Sequence, residues 1–429
     1  MRILILSKEC WRNDQNGGNV LSNMFEGFNA EFAQIYCSTG EPSNNICKHY
    51  FQVTDSEVMR YCLHRIKATD IGHVRQYNDY PKISNTNSVD EDVRSVSKWM
   101  SGNLARVVRE IAWKIAPWKS ERLKLFILDF NPDIVFAPCY GNHYMLGLTR
   151  YVYEVTYKPI ISYISDDHYT LNQFSFSPVF WINHFIRRRN VKRTIKLYSL
   201  MYTMTEEQKA QCEKDFGVPV KILCKSGIFP KEKEKKSVNN PLRLIYAGGI
   251  YLNRWKTLAA LAEVMRKINT DGVKCTLDIY TNNRLSNSQA QLINDGHTAN
   301  IHAGVSLNEL KYIYAKSDIA LHVESFDIEN RMKVRLSFST KIIDCLESGC
   351  AVMAICDGKQ AGFAYLKRNT AAICIDNTKN IEQILRSIIN NPKMLMQYQK
   401  KAFELGRKAH DKVCIQEGIK HDFMNLIIR

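Results

Sequence analysis

The sequence predicts an α/β protein built from two Rossmann-like, doubly wound domains. Three observations carry that expectation. The chain has 429 residues, more than one hydrophobic core usually serves, so two domains of about 200 residues each are the default. Short apolar runs alternate with helical periodicity twice, once before residue 230 and again after residue 241. Between the two runs, Lys231-Glu232-Lys233-Glu234-Lys235-Lys236-Ser237-Val238-Asn239-Asn240-Pro241 is polar, charged and closed by proline, as an exposed connection is.

In the first half, 2–7, 32–37, 134–137, 160–164 and 200–203 are apolar or β-branched and short, as buried parallel strands are. Helical patterns cover 20–30, 91–116, 145–155 and 206–216, and Asn131-Pro132-Asp133 stops a helix before a strand. In the second half the expected strands are 242–247, 275–280, 319–323, 351–355 and 372–375. Helices are expected at 256–267, 307–315 and 338–347, and 381–429 is largely helical. The expected division is 1–230, 241–405, and a helical segment 406–429 that packs back on the first domain.

Composition is that of a globular chain, 45% apolar and 24% charged. No apolar run approaches the roughly 20 residues that cross a bilayer, and the opening Met-Arg-Ile-Leu-Ile-Leu-Ser reads as a strand, not a signal peptide. The 13 cysteines form no Cys-x-x-Cys pair, which points to reduced thiols in the cytoplasm and to no metal site. The net charge of +16 concentrates in Arg187-Arg188-Arg189-Asn190-Val191-Lys192-Arg193-Thr194-Ile195-Lys196, directly after the apolar stretch 178–186. A second basic stretch runs through Arg106, Arg109, Lys114, Lys119, Arg122 and Lys124, with Trp113 and Trp118 between. Such faces suit peripheral docking on an anionic membrane, or are simply solvated helix faces. No nucleic-acid module accompanies the charge.

The chemistry concentrates at strand ends. Gly248-Gly249 follows the strand 242–247 and precedes Arg254-Trp255-Lys256. Glycines there admit a ligand to the backbone, and a cation can neutralise phosphate. Downstream, Ser337-Phe338-Ser339-Thr340-Lys341-Ile342-Ile343-Asp344 opens a helix that ends at Gly349. Ser339 or Ser337 can cap it, leaving amides and a positive dipole end for a diphosphate. Thr340 and Lys341 add a hydroxyl and a charge, and Asp344 lies one turn further, within reach of a ribose. In the first half, Asn16-Gly17-Gly18-Asn19 opens a helix after the first strand, without the Gly-x-Gly-x-x-Gly spacing of a nicotinamide site. Ser165-Asp166-Asp167-His168 ends the strand 160–164, where acids and a histidine can orient a hydroxyl or cap a turn. His143 follows another strand, where a lone histidine is more often structural.

These features together resemble the retaining, glycogen-synthase-like superfamily of glycosyltransferases, in particular bacterial members whose donor helix opens with Phe-Ser-Thr-Lys. The resemblance implies the GT-B fold, two domains facing a cleft, and transfer of a sugar from a nucleotide diphosphate sugar to a hydroxyl of a glycan or lipid-linked acceptor. It implies no cofactor beyond that co-substrate, and a place in bacterial surface-glycan assembly at the inner face of the membrane. It puts Gly17, Gly18, Asn19, Gly249, Arg254, Ser339, Thr340, Lys341 and Asp344 on the donor, and Asp166, Asp167 and His168 at the reacting centre. Two positions depart from the superfamily: Leu336 where an acid contacts the donor sugar, and Ile250 where a first phosphate cation stands. Glu324 or Glu329 can supply the acid, and Lys341, Arg331 or Lys333 the cation. The alternatives are a nucleotide-sugar epimerase of the same fold and a non-catalytic partner subunit.

Overall fold

The computed structural model describes residues 1–12, 16–76, 103–230 and 237–428. The first half opens with β1 (Arg2–Ser7), α1 (Asn16–Phe25), β2 (Glu31–Tyr36), β3 (His49–Gln52), α2 (Asp55–Cys62) and β4 (His73–Gln76). It continues through α3 (Asn103–Ile115), α4 (Glu121–Phe130), β5 (Ile134–Pro138), α5 (His143–Thr156) and β6 (Ile160–Ile164). It closes with α6 (Pro178–Ile195), β7 (Tyr198–Thr203), α7 (Glu206–Phe216) and β8 (Val220–Ile222).

The second half begins with β9 (Leu242–Ala247), α8 (Arg254–Ile268), β10 (Cys275–Thr281), α9 (Asn287–Ile293) and β11 (Ala299–Ala303). Then come α10 (Leu307–Ala315), β12 (Ile319–Val323), α11 (Ile328–Val334), α12 (Lys341–Ser348) and β13 (Ala351–Ile355). The chain ends with α13 (Ala361–Arg368), β14 (Ala372–Ile375), α14 (Ile381–Asn390), α15 (Met394–Ala409) and α16 (Lys412–Ile427).

The first sheet runs β4-β3-β2-β1-β5-β6-β7-β8, and only the β3–β4 pair is antiparallel. The second runs β11-β10-β9-β12-β13-β14 and is parallel throughout. Strand order changes direction between β1 and β5 and between β9 and β12. Open sheets bind ligands outside the carboxyl ends of strands at such switch points. Helices cover both sheet faces, which is why Ile3, Leu4, Ile5 and Leu6, like all of β13, are fully buried with no polar alternation.

The strands that sequence patterning missed lie at or beside sheet edges. β3, β4, β8 and β11 are three to five residues long and lie at or next to a sheet border, and all but β3 are partly exposed. The patterning also gave no range for α2, α4, α6, α9, α11 or α13, and it started α12 three residues early. Of the helix expected over 91–116, residues 91–102 lie outside the described residues and 103–115 form α3. Residues 231–236 of the connection also lie outside them.

The chain crosses between the halves twice, side by side. Gly227 donates its amide to the His410 carbonyl at 2.8 Å and accepts from the Lys412 amide at 3.1 Å. Beyond that crossing α16 lies against the first sheet. Phe423 packs 6.2 Å from Phe25 and 6.3 Å from Phe136, and the Tyr202 hydroxyl donates to Asp422 at 2.7 Å.

Candidate functional site

The carboxyl edges of the two sheets enclose a cleft of about 1020 Å³. One wall comes from α1, the ends of β5 and β6, and α6; the other comes from the loops after β9 and β10, and from the start of α12.

On the second wall, Gly248 has φ +142°, and a Cβ there would overlap the Lys341 side chain, coming within 2.6 Å of Nζ. A bare backbone at this point lets Lys341 lie across the loop. Its ammonium donates to the Tyr246 hydroxyl at 2.7 Å and the Gly249 carbonyl at 3.2 Å. Burial, then repulsion from Arg254, pushes the Lys341 pKa down to about 8. The loop continues through Leu252 and Asn253 at φ +55° and +58°, a left-handed pair that stores strain beside the cleft.

Arg254, expected on the phosphates, is buried and forked onto Glu324, with Nε to Oε2 at 2.7 Å and Nη2 to Oε1 at 2.9 Å. Burial works against its charge, but Glu324 more than offsets this and raises the pKa. Two of its five N–H donors are thereby committed, and so is the Glu324 carboxylate. Glu329 pairs with Lys333 at 2.6 Å on exposed helix surface, and Arg331 pairs with Asp357 at 2.5 Å. Of the three cations weighed as a replacement at Ile250, Lys341 alone sits at the Gly248-Gly249 loop.

The start of α12 differs from the expectation in one respect. Its cap residue is Thr340, in helical conformation, and no side chain closes the end. Ser337 instead donates its hydroxyl to Asp166 across the cleft at 2.8 Å. Ser339, Thr340, Lys341 and Asp344 all line the cleft, and Asp344 holds Lys225, which follows β8, at 2.6 Å. Leu336 is buried, its carbonyl accepting from Thr205 at 3.1 Å. Tyr280, Thr281, Asn282 and Gly304 line the far end of the same wall, with His302 stacked on Tyr280 at 4.7 Å.

On the first wall, the backbone of residues 17–19 forms the opening turn of α1, and Val20, Leu21 and Met24 of that helix line the cleft. Asp166 is exposed and reaches Ser337. Asp167, expected at the reacting centre, is spent on its own turn: it accepts from the Thr170 amide at 2.9 Å and from the Thr170 hydroxyl, and Arg335 lies 3.8 Å away. That is the turn-capping reading of the acid pair. His168 lies under Gly141, whose φ of +69° and missing Cβ make the room. Burial lowers the His168 pKa despite Asp166, so the ring is neutral near pH 7.

Sequence reasoning missed Lys225, 119 residues from Asp344, for which no local signal exists. It also missed the inward turn of Arg187, although Phe180, His184 and Arg187 at i, i+4 and i+7 mark one face of α6. Trp113 and Trp118, read as part of a basic surface, are buried; Trp113 stacks on Tyr144 at 4.6 Å. Among the described residues, no cluster of histidine, cysteine and carboxylate is placed to hold a metal ion, and no helix is long and apolar enough to cross a membrane.

No protein-family model and no curated protein matches the sequence. Solved structures do match over the whole length. Sucrose-phosphate synthase from Thermosynechococcus elongatus superposes with a TM-score of 0.64 at 10% identity, covering 100% of this chain and 99% of its own. A trehalose-6-phosphate protein from E. coli bound with UDP-2-fluoro glucose gives 0.61 at 12%, covering 99% of each chain. Anabaena HepE in complex with UDP and glucose gives 0.59 at 12%, covering 99% of this chain and 100% of that one. The architecture is therefore the two-domain GT-B fold of glycosyltransferases.

Proposed function

We propose that this chain is a glycosyltransferase that moves a sugar from a nucleoside diphosphate sugar to an acceptor hydroxyl, with retention at the anomeric carbon. One observation carries the reading. A half-buried ammonium, Lys341, lies on a bare glycine loop at the uncapped start of α12, in a cleft large enough for a nucleotide sugar. Charge develops on the departing diphosphate, and Lys341 with the positive end of α12 stabilises it. Arg254 acts one step back: its Nη1 lies 3.5 Å from the Gly249 carbonyl and orients the loop. Asp344 is the ribose contact, released from Lys225 when donor enters. Asp166 and Ser337, joined across the cleft, mark where acceptor and donor sugar meet.

The solved structures support the donor class, since HepE is in complex with UDP and glucose and the E. coli protein is bound with UDP-2-fluoro glucose. A membrane-resident glycan precursor suits the outer face of α6. Val179, Ile182, Phe185 and Ile186 are exposed there, and Arg189, Arg193 and Lys196 follow. That arrangement supports peripheral docking on an anionic inner leaflet.

A thermal-shift panel of uridine, guanosine, adenosine and cytidine diphosphates tests the reading. A ligand at 100 times its dissociation constant stabilises the fold by about 2.7 kcal/mol. One diphosphate should raise the melting temperature by several degrees; no shift with any of them would leave a non-catalytic relative of the fold as the better account. Incubation of nucleotide sugars without acceptor separates transfer from epimerisation, which needs none.

A further inference from the structure

A second chamber of about 320 Å³ opens off the cleft between α3, α5 and α6. Tyr140, His168, Phe180, His184 and Arg187 border both spaces, so the chamber adjoins the cleft in which Asp166 meets Ser337.

The chamber's deeper wall is polar and rich in cations. Lys8, Arg109 and Arg187 face Glu110 there. Arg109 Nε and Glu110 Oε2 are both buried without a hydrogen-bond partner, and the carboxylates nearest Arg109, on Asp55 and Glu110, lie 3.8 Å off, too far for hydrogen bonds. Buried polar atoms left this way call for a ligand or a water. The amino end of α5, a helix of 14 residues, also opens here. Its cap residue Asn142 makes no side-chain cap bond, and Glu110 lies against the His143 amide. His143 is held down to about 4 by burial, then by Arg187, Lys114 and Arg150. It therefore serves as a neutral hydrogen-bonding group, its Nδ1 already 2.6 Å from the Asn190 amide nitrogen.

We infer that this chamber binds a phosphate group carried by the acceptor, with Arg187, Arg109 and Lys8 as its cations and Asn183 at its rim. The inference rests on the glycosyltransferase reading and names the acceptor chemistry: a phosphate monoester or diester whose attached sugar or hydroxyl extends through the opening at His168 into the cleft. Guanidinium groups suit this task, since they offer several parallel donors to one phosphate. Two sources share the chemistry, a soluble sugar phosphate and the phosphate of a lipid carrier whose chain leaves along the exposed apolar face of α6.

The test is calorimetric titration of the full chain, saturated with its preferred nucleoside diphosphate, using inorganic phosphate in one arm and octyl phosphate in the other. Arg187→Gln should weaken both probes at least tenfold while nucleotide affinity stays within twofold. Asn183→Asp adds a negative charge at the rim without removing a buried group, and should act in the same direction. Octyl phosphate binding at least tenfold tighter than inorganic phosphate identifies a lipid carrier, and equal affinities a soluble phosphate; either result supports the site. A chain that binds nucleotide but neither probe, or two folded variants that bind both probes as the parent does, would overturn it. Probe binding without any nucleotide binding would sink the donor reading and leave the phosphate site standing.

Discussion

Replacing Lys341 with methionine removes the ammonium that lies across the glycine loop while keeping most of the side chain's volume. Its ammonium lies 2.7 Å from the Tyr246 hydroxyl and 3.2 Å from the Gly249 carbonyl, poised to pass to phosphate oxygens when donor enters. A hydrogen bond to a charged group contributes about 1.5–3 kcal/mol. Loss of that contact should lower kcat/KM for the donor by roughly 10- to 150-fold. The fold should not suffer, because burial already disfavours this charge. The assay is nucleoside diphosphate release from the donor, with the melting temperature measured alongside. Gly248→Ala provides the partner experiment. A Cβ there comes within 2.6 Å of Nζ and overlaps the lysine stem, so it should expel Lys341 and reproduce the loss with every polar group still present. The double variant should be little worse than either single, as interacting neighbours are. A Lys341→Met enzyme that keeps kcat/KM within threefold would refute the reasoning.

Three further outcomes follow. With the Lys341 pKa near 8, donor affinity should fall as pH rises through about 8, by up to tenfold per unit, and the dependence should vanish in Lys341→Met. His322 and His410 are buried, and burial holds each near 4 in the fold, so the unfolded chain binds their protons first. Stability should therefore fall as pH drops from about 6.5 toward 4, by roughly 3 kcal/mol per ring, and His410→Gln should flatten the slope of melting temperature against pH. Asp167→Ala should cost about 1–2 kcal/mol of stability, as loss of a cap does, whereas Asp167→Asn should keep the turn and leave the pH profile of turnover unchanged.

How much could be read from the sequence depended on whether the signal was local. The ILIL run of β1 and the AVMAI run of β13 announce strands buried on both faces, so the doubly wound class was visible. β11, reading ANIHA on a sheet border, carries no such pattern, because its first residue alone is buried. The Gly248-Gly249 turn and the Lys341 helix were legible because strand ends and helix starts have composition rules. What each group touches was not legible. The Arg254–Glu324 fork spans 70 residues within the second domain, while Ser337–Asp166 spans 171 and Lys225–Asp344 spans 119, and these two exist only once the domains meet. Asp167 shows the converse, since its partner Thr170 is three residues away and the turn could have been preferred over catalysis from the start.

The account turns on the donor diphosphate resting at the Gly248-Gly249 loop against Lys341. Calorimetric titration of the parent chain and Lys341→Met with the nucleoside diphosphate that gives the largest thermal shift addresses this directly. The account predicts a single site in the parent and at least tenfold weaker binding in the variant, measured below pH 8 where the ammonium is charged. Equal affinity in the two chains, or no binding by the parent, would contradict it.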